Sequence, residues 1–351
     1  MVTWRGRPFV KLASHMRIAL TFFSILRIPI SDILICATEA EKAGFEYISL
    51  AESFYRDASV LACAIASNTK KIKLGSSIYP TATRTPFQIA MASATLDEIS
   101  NGRLGFIGLG IGYRNRIERY FGLKIEKSHT RMMEYTEIIR GLLSADKEFS
   151  YKGKLFNFHD FPKLVPKPLS IPLLFGSSGD KMLGLAGRIA DGVILNSIGA
   201  PEYFKHAIPV VRDSAKDAGK DQRQLEIAAS IILSTADKVQ DAIDSARHDV
   251  LFYVLYPELD PVIEKTPYVH KVSEIRKANA SGDSKKAFSL VTDDMVRDLA
   301  IIGTPKECRN KVRKLYDYGI TLPVIRVSIV PFKENERKDV FLRAIEALKQ
   351  Q

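Results

Sequence analysis

The 351-residue chain holds only three cysteines, Cys36, Cys63 and Cys308, far apart and odd in number. That excludes a disulfide framework and metal-ligand spacing, so all three are expected to be reduced core residues of a cytoplasmic protein. No apolar run reaches the ~20 residues that cross a bilayer, because Arg27 and Asp32 interrupt the longest early stretch. No membrane partner is therefore expected. The six histidines (His15, His129, His159, His206, His248 and His270) form no pair at ligand spacing, so no metal is expected. A nucleophile elbow is also missing, which argues against a Ser-His-Asp hydrolase. Charge of one sign is never blocked: 51 basic and 40 acidic residues give +11 spread thinly along the chain. Such a balance fits a solvated basic surface or an anionic small ligand, and without a binding motif it does not predict nucleic acid.

What is present is an ordinary globular composition, 46% hydrophobic and 26% charged, long enough to bury a sizeable core. The opening "MVTWRGRPFVKLASH" has three basic residues, no acid and no period, so residues 1–15 are expected to be an extension or expression remnant. From Met16 onward, short β-branched and aromatic runs alternate with helical periodicity. Strands are predicted at 17–23, 46–51, 72–79, 103–109, 172–175, 192–196, 225–233 and 322–329, with helices between them. Eight such units predict a (β/α)8 TIM barrel, with a doubly wound open sheet as the alternative. Two segments interrupt the rhythm: a hairpin near 147–168 and a helical insertion near 255–295. A single decorated domain over residues 16–351 is expected.

In a barrel the chemistry lies on loops at the C-terminal ends of strands. The second strand runs into "AESFYRD", where Glu52 could serve as an acid or a substrate anchor and Asp57 reads as a helix N-cap. The third runs into "KLGSSIYPTATRTP", small residues that let backbone approach a ligand or simply form a bulge, with Arg84 a candidate surface cation. The fourth ends in "GLGIG", with Gly110 and Gly112 but no glycine at the sixth position, so it is a backbone-lined floor rather than a dinucleotide loop. The fifth is the most specific: Gly176, Ser177, Ser178 and Gly179 lead into a helix beginning with Asp180 and Lys181, the chemistry of an anion site. A capped helix without ligand is the competing account.

These motifs, with "KAGFEYISL", "ATLDEISNGR", "GSSGDKMLGLAGRIADG" and "IIGTPKECRNKVRKL", resemble the luciferase-like flavin and deazaflavin oxidoreductases over about residues 17–345. The similarity is strongest to the coenzyme F420-dependent reductases of methylenetetrahydromethanopterin. The resemblance implies F420, with FMN as the alternative, and a bulge of Ser76, Ser77 and Ile78 whose Ser77–Ile78 peptide is cis and backs the deazaflavin ring. It also puts Gly110, Gly112 and Asn196 beside the cofactor and makes Gly176–Lys181 its phosphate loop. Glu52 is then the polar group facing substrate, with Ser53 and Thr21 as neighbours. The chain departs from the family at Ser53, commonly His, at Thr21, which is Glu in the reductases, and at Gly75-Ser76-Ser77, which replaces Gly-Pro-Gly. The implied partners are a small-molecule substrate, a pterin among the candidates, and a second copy of the chain in a homodimer or higher oligomer. An FMN monooxygenase and a cofactor-binding protein without turnover stay open as alternatives.

Overall fold

A computed structural model describes residues 16–22, 28–52, 55–196 and 198–350. The extension read at residues 1–15 and the candidate Ser53 lie outside the described residues.

Eight parallel strands close on themselves. They are β1 (Ala19–Phe22), β2 (Tyr47–Leu50), β3 (Lys73–Ser76), β4 (Leu104–Gly110), β5 (Leu173–Gly176), β6 (Gly192–Leu195), β7 (Glu226–Thr235) and β8 (Leu322–Val327). Each pairs with the next in sequence, and β8 returns to β1 with Val324 opposite Ala19. This is the (β/α)8 barrel predicted from the alternation of strands and helices, and the open sheet is excluded by that closure. Among the described residues, no helix is long and apolar enough to cross a membrane.

The strand residues that point inward (Ala19, Tyr47, Phe106, Leu174, Ile194, Ala228, Leu322 and Val324) fill the barrel as one apolar cluster. Gly75 is small because the Phe106 ring lies across it: a Cβ there would sit 2.3 Å from Phe106 Cζ. Apolar faces of the surrounding helices cover the outside of the sheet. The bottom is plugged by Arg17, which donates to Glu46 at 2.7 Å and to Glu226 at 2.9 Å. Among the described residues the barrel is thus a packed core, closed by this network at one end and open to a cavity at the C-terminal ends of its strands.

Both interruptions are present. Phe149–Lys152 and Asn157–Phe161 pair antiparallel, turning where the Gly153 N–H donates to Phe156 O at 2.8 Å. Residues 255–295 fold into a 3-10 turn, Pro257–Leu259, followed by short helices. Three elements among the described residues were not predicted: a three-residue strand, Ile301–Gly303, that pairs parallel with the end of β7, a helix, Arg114–Phe121, after β4, and a 3-10 turn, Gln222–Gln224, before β7. The predicted strand 72–79 is also two pieces, because pairing breaks at residues 77 and 78 and resumes at Tyr79–Pro80 alongside β4.

At the bottom of β5 and β6, Asp191 accepts from Arg140 Nη2 and from the Leu173 N–H, each at 2.8 Å. Lys220 donates beside them to the carbonyls of Gly187 and Ala190, closing the C-terminal end of the helix Asp180–Ile189. Burial pulls the Lys220 ammonium from 10.5 down to about 8, against the opposing pull of Asp191. Between those values the unfolded chain binds a proton that the folded protein has released, so this group's contribution to stability rises with pH. Wild type compared with Lys220→Met, which keeps the aliphatic stem, should gain several degrees in thermal midpoint from pH 8 to 10.5. A difference that is flat or falls with pH would show that the lysine is not desolvated in this way.

Candidate functional site

A cavity of about 820 Å³ opens at the C-terminal ends of the strands. Every barrel strand contributes through its last residues or the connection that follows, and β7 also lines it from mid-strand with Ser230. The predicted residues Thr21, Glu52, Ser77, Ile78, Gly110, Gly112, Gly176, Ser177, Ser178, Gly179 and Asn196 all line it.

The stretch after β3 forms the floor. Ser77 N–H donates to Leu50 O at 2.8 Å, and Ile78 O accepts from Glu52 N–H at 3.3 Å, which ties the break in β3 to β2. The Ser77–Ile78 peptide is cis, as the resemblance implied. The Ile78 side chain lies between two glycines: a Cβ at Gly110 would come within 2.9 Å of its Cδ1, and one at Gly176 within 2.9 Å of its Cγ2. Small residues on β4 and β5 therefore leave room for Ile78 as well as for a ligand. Gly112 has a φ of +88°, which only glycine adopts without strain. Thr85 caps the helix Pro86–Ile99 with a full capping box, which accounts for the "RTP" that ends the stretch.

Ser76 and the pair Asp180–Lys181 depart from expectation. Ser76 is buried behind the wall, where its hydroxyl donates to Gly108 O at 3.1 Å and accepts from Gly108 N–H at 2.8 Å. It joins β3 to β4 and presents nothing to the cavity. Asp180 and Lys181 face a neighbouring hollow with His129, Lys265 and His206. Asp180 Oδ1 lies 2.8 Å from His206 Nε2. That hollow shares Gly179 and Met182 with the main cavity. The backbone of the Gly176–Gly179 turn thus borders the site, while the two charged side chains are directed past it.

Glu52 is not a free carboxylate. Arg84 grips it with Nε at 2.6 Å from Oε1 and Nη2 at 2.5 Å from Oε2, and the Ala58 N–H adds a third donor at 3.2 Å. Arg84 also reaches Asp57 at 2.5 Å and stacks 5.1 Å over the Tyr79 ring. Burial works against the Arg84 charge, but the two carboxylates outweigh it and hold the guanidinium more firmly protonated than usual. Asp57 also caps the helix Ala58–Asn68, accepting from Ser59 and Val60 N–H at 2.8 and 3.0 Å. Its N-cap role was predicted, but the fork from Arg84, weighed as a surface cation, was not.

The opposite wall is polar and was missed by sequence reasoning. Arg326, 3% exposed, donates to Asp249 Oδ1 at 2.5 Å and lies 4.8 Å over the Tyr253 ring. Tyr113 hydrogen bonds Asn196, and burial pushes its hydroxyl far above the ordinary tyrosine range despite that bond. Ser230 of β7 and Glu258 of the insertion complete this side. A signal existed for Arg326: Leu322 and Val324 point inward on β8, and a cation two residues further on the same face must enter the barrel mouth.

A family profile described as luciferase-like monooxygenase matches residues 13–322. The chain is 31% identical over 317 residues to 5,10-methylenetetrahydromethanopterin reductase of Methanolobus tindarius, covering 88% of this chain and 94% of that protein. It is 32% identical over 301 residues to the reductase of the same name from Archaeoglobus fulgidus, covering 84% and 89%. Among solved structures, the coenzyme F420-dependent tetrahydromethanopterin reductase of Methanopyrus kandleri superposes with a TM-score of 0.82 at 25% identity, covering 96% of this chain and 98% of that one. A cavity at the barrel mouth, floored by a cis peptide and glycines, is thus carried by a chain that the family profile matches over most of its length, and the chain belongs to the luciferase-like monooxygenase family.

Proposed function

We propose that the protein is a coenzyme F420-dependent oxidoreductase, moving a hydride between C5 of the deazaflavin and an organic substrate, in the manner of methylenetetrahydromethanopterin reductases. The observation that carries this is the floor made by Ser77–Ile78 against Gly110 and Gly176, in a chain 31% identical to such a reductase over 88% of its length. The residues present fit the cofactor. The glycine-flanked floor suits a flat ring, and the helix Asp180–Ile189 begins at Gly179 with no side-chain cap, as a phosphate site requires. Two buried hydroxyl oxygens on the cavity wall, Thr21 Oγ1 and Ser177 Oγ, have no hydrogen-bond partner among the described residues. Each is a polar atom that a ligand would complete.

When bound, the deazaflavin supplies the two-electron hydride chemistry, and the protein supplies placement. Ser77, Ile78, Gly110 and Gly112 would support the ring, while Ser177, Ser178 and the Gly179 backbone would hold its phosphate. Glu52, fixed by Arg84, and Thr21 would face the substrate from β2 and β1. The helix Arg114–Phe121 and the turn at Pro257–Leu259 would exclude water from above. A pterin-type substrate is the finer proposal, together with one catalytic domain, a homodimer and a cytoplasmic location.

Mixing oxidised F420 with protein and candidate donors under anaerobic conditions should bleach the cofactor's visible absorbance. Oxygen uptake with reduced FMN, and no bleaching of F420, would favour a monooxygenase. Tight F420 binding without turnover on any donor or acceptor would indicate a protein that only binds the cofactor.

A further inference from the structure

The insertion at 255–295 brings one acid to the cavity. Glu258 lies in the 3-10 turn Pro257–Leu259 and lines the wall above Tyr113 and Arg116. Its Oε2 is buried and has no hydrogen-bond partner among the described residues. A carboxylate oxygen removed from water without a donor is costly, and native folds retain few of them unless something else binds there. The surroundings are flat and aromatic. The Tyr113 and Tyr256 rings lie 4.8 Å apart, and the Arg116 guanidinium sits 4.6 Å over Tyr256 and 5.1 Å over Phe252. These stacks clamp the turn that carries Glu258 onto the helix Arg114–Phe121.

A carboxylate only accepts hydrogen bonds, and its two oxygens match a pair of parallel N–H donors. We propose that Glu258 is a specificity-determining residue that receives the N–H donors of a planar nitrogen heterocycle carrying an exocyclic amino group. This rests on the oxidoreductase function proposed above. The deazaflavin ring carries no exocyclic amine, so such an edge belongs to the substrate and not to the cofactor. Within the family scaffold, the insertion then sets which substrate the cavity accepts.

The test compares 6-methyltetrahydropterin with 6-methyltetrahydrolumazine, which has an oxo group in place of the exocyclic amine. Both are titrated anaerobically by calorimetry against the full chain, with and without F420. Wild type is expected to prefer the amino compound by roughly 10- to 100-fold, the range of a charge-assisted hydrogen bond. Glu258→Gln, and Glu258→Ala as a second variant, should lose that preference. Both should keep the wild-type affinity for F420 and a thermal midpoint no lower than wild type, since Glu258 Oε2 makes no internal hydrogen bond for the fold to lose and its burial is a cost that the variants remove. Equal affinity of wild type for the two compounds, or failure to bind either, would overturn the proposal. So would a loss of F420 affinity in the variants, which would make Glu258 a cofactor ligand. Failure of wild type itself to bind F420 would instead overturn the function on which the proposal rests.

Discussion

Replacing Asp249 by alanine should destabilise the protein by about 3–5 kcal/mol, because it strands a buried arginine charge. Asp249 is 0% exposed on the helix Val239–Val254, and its two oxygens take Arg326 Nη1 and Ser328 Oγ, each at 2.5 Å. The side chains of the pair are 4% and 0% exposed, so water cannot replace the lost carboxylate. In a domain of this size that loss lowers the thermal midpoint by roughly 5 °C. The double variant Asp249→Ala, Arg326→Met should recover much of it, since an apolar side chain of similar length removes the charge as well as its partner. Equal midpoints for the single and double variants would mean that solvent reaches Arg326 and that the pair is not a buried one. The same helix carries Tyr253 to the cavity wall, so this ion pair also sets the position of the side opposite Glu52.

The second large effect is expected at Glu52. Glu52→Gln keeps the shape of the side chain but replaces a charged acceptor with an amide, and one arm of the Arg84 fork then meets N–H instead of oxygen. Turnover should fall by roughly 10²–10³-fold, the range for removing a placed charge or proton carrier from a site. The affinity for F420 should stay within about twofold, because the predicted ring and phosphate contacts lie on other strands. Arg84→Lys should give a milder form of the same defect, since an ammonium cannot hold both oxygens in a fork. Wild-type turnover in Glu52→Gln would remove the residue from the mechanism. A parallel loss of cofactor affinity would make it a cofactor ligand.

The sequence carries most of the fold because each barrel strand is a short apolar run bounded by a helix stop or a turn. Ile301–Gly303 escapes because three residues are too few to show a period. The helix Arg114–Phe121 escapes because it is only eight residues long, with Ile117 alone buried among its many charged residues. At the site, glycine and serine positions are legible because backbone geometry is a local property. Side-chain partnerships are not. Nothing near Arg84 announces that it will meet a carboxylate 32 residues upstream, and Glu258 sits in a segment with no regular pattern. Ser76 and Asp180 show the converse: they stand in the right motif, but their side chains point into the wall or past the cavity.

An equilibrium titration of the purified protein with F420 and, separately, with FMN, followed by fluorescence, bears on the cofactor without needing a substrate. Saturable micromolar binding of F420 is expected, with much weaker binding of FMN. Gly176→Val should lose F420 binding, because its added methyls would displace Ile78 from the floor. Preference for FMN, or F420 binding that is unchanged when Gly176 is replaced, would contradict an F420 site built on this floor.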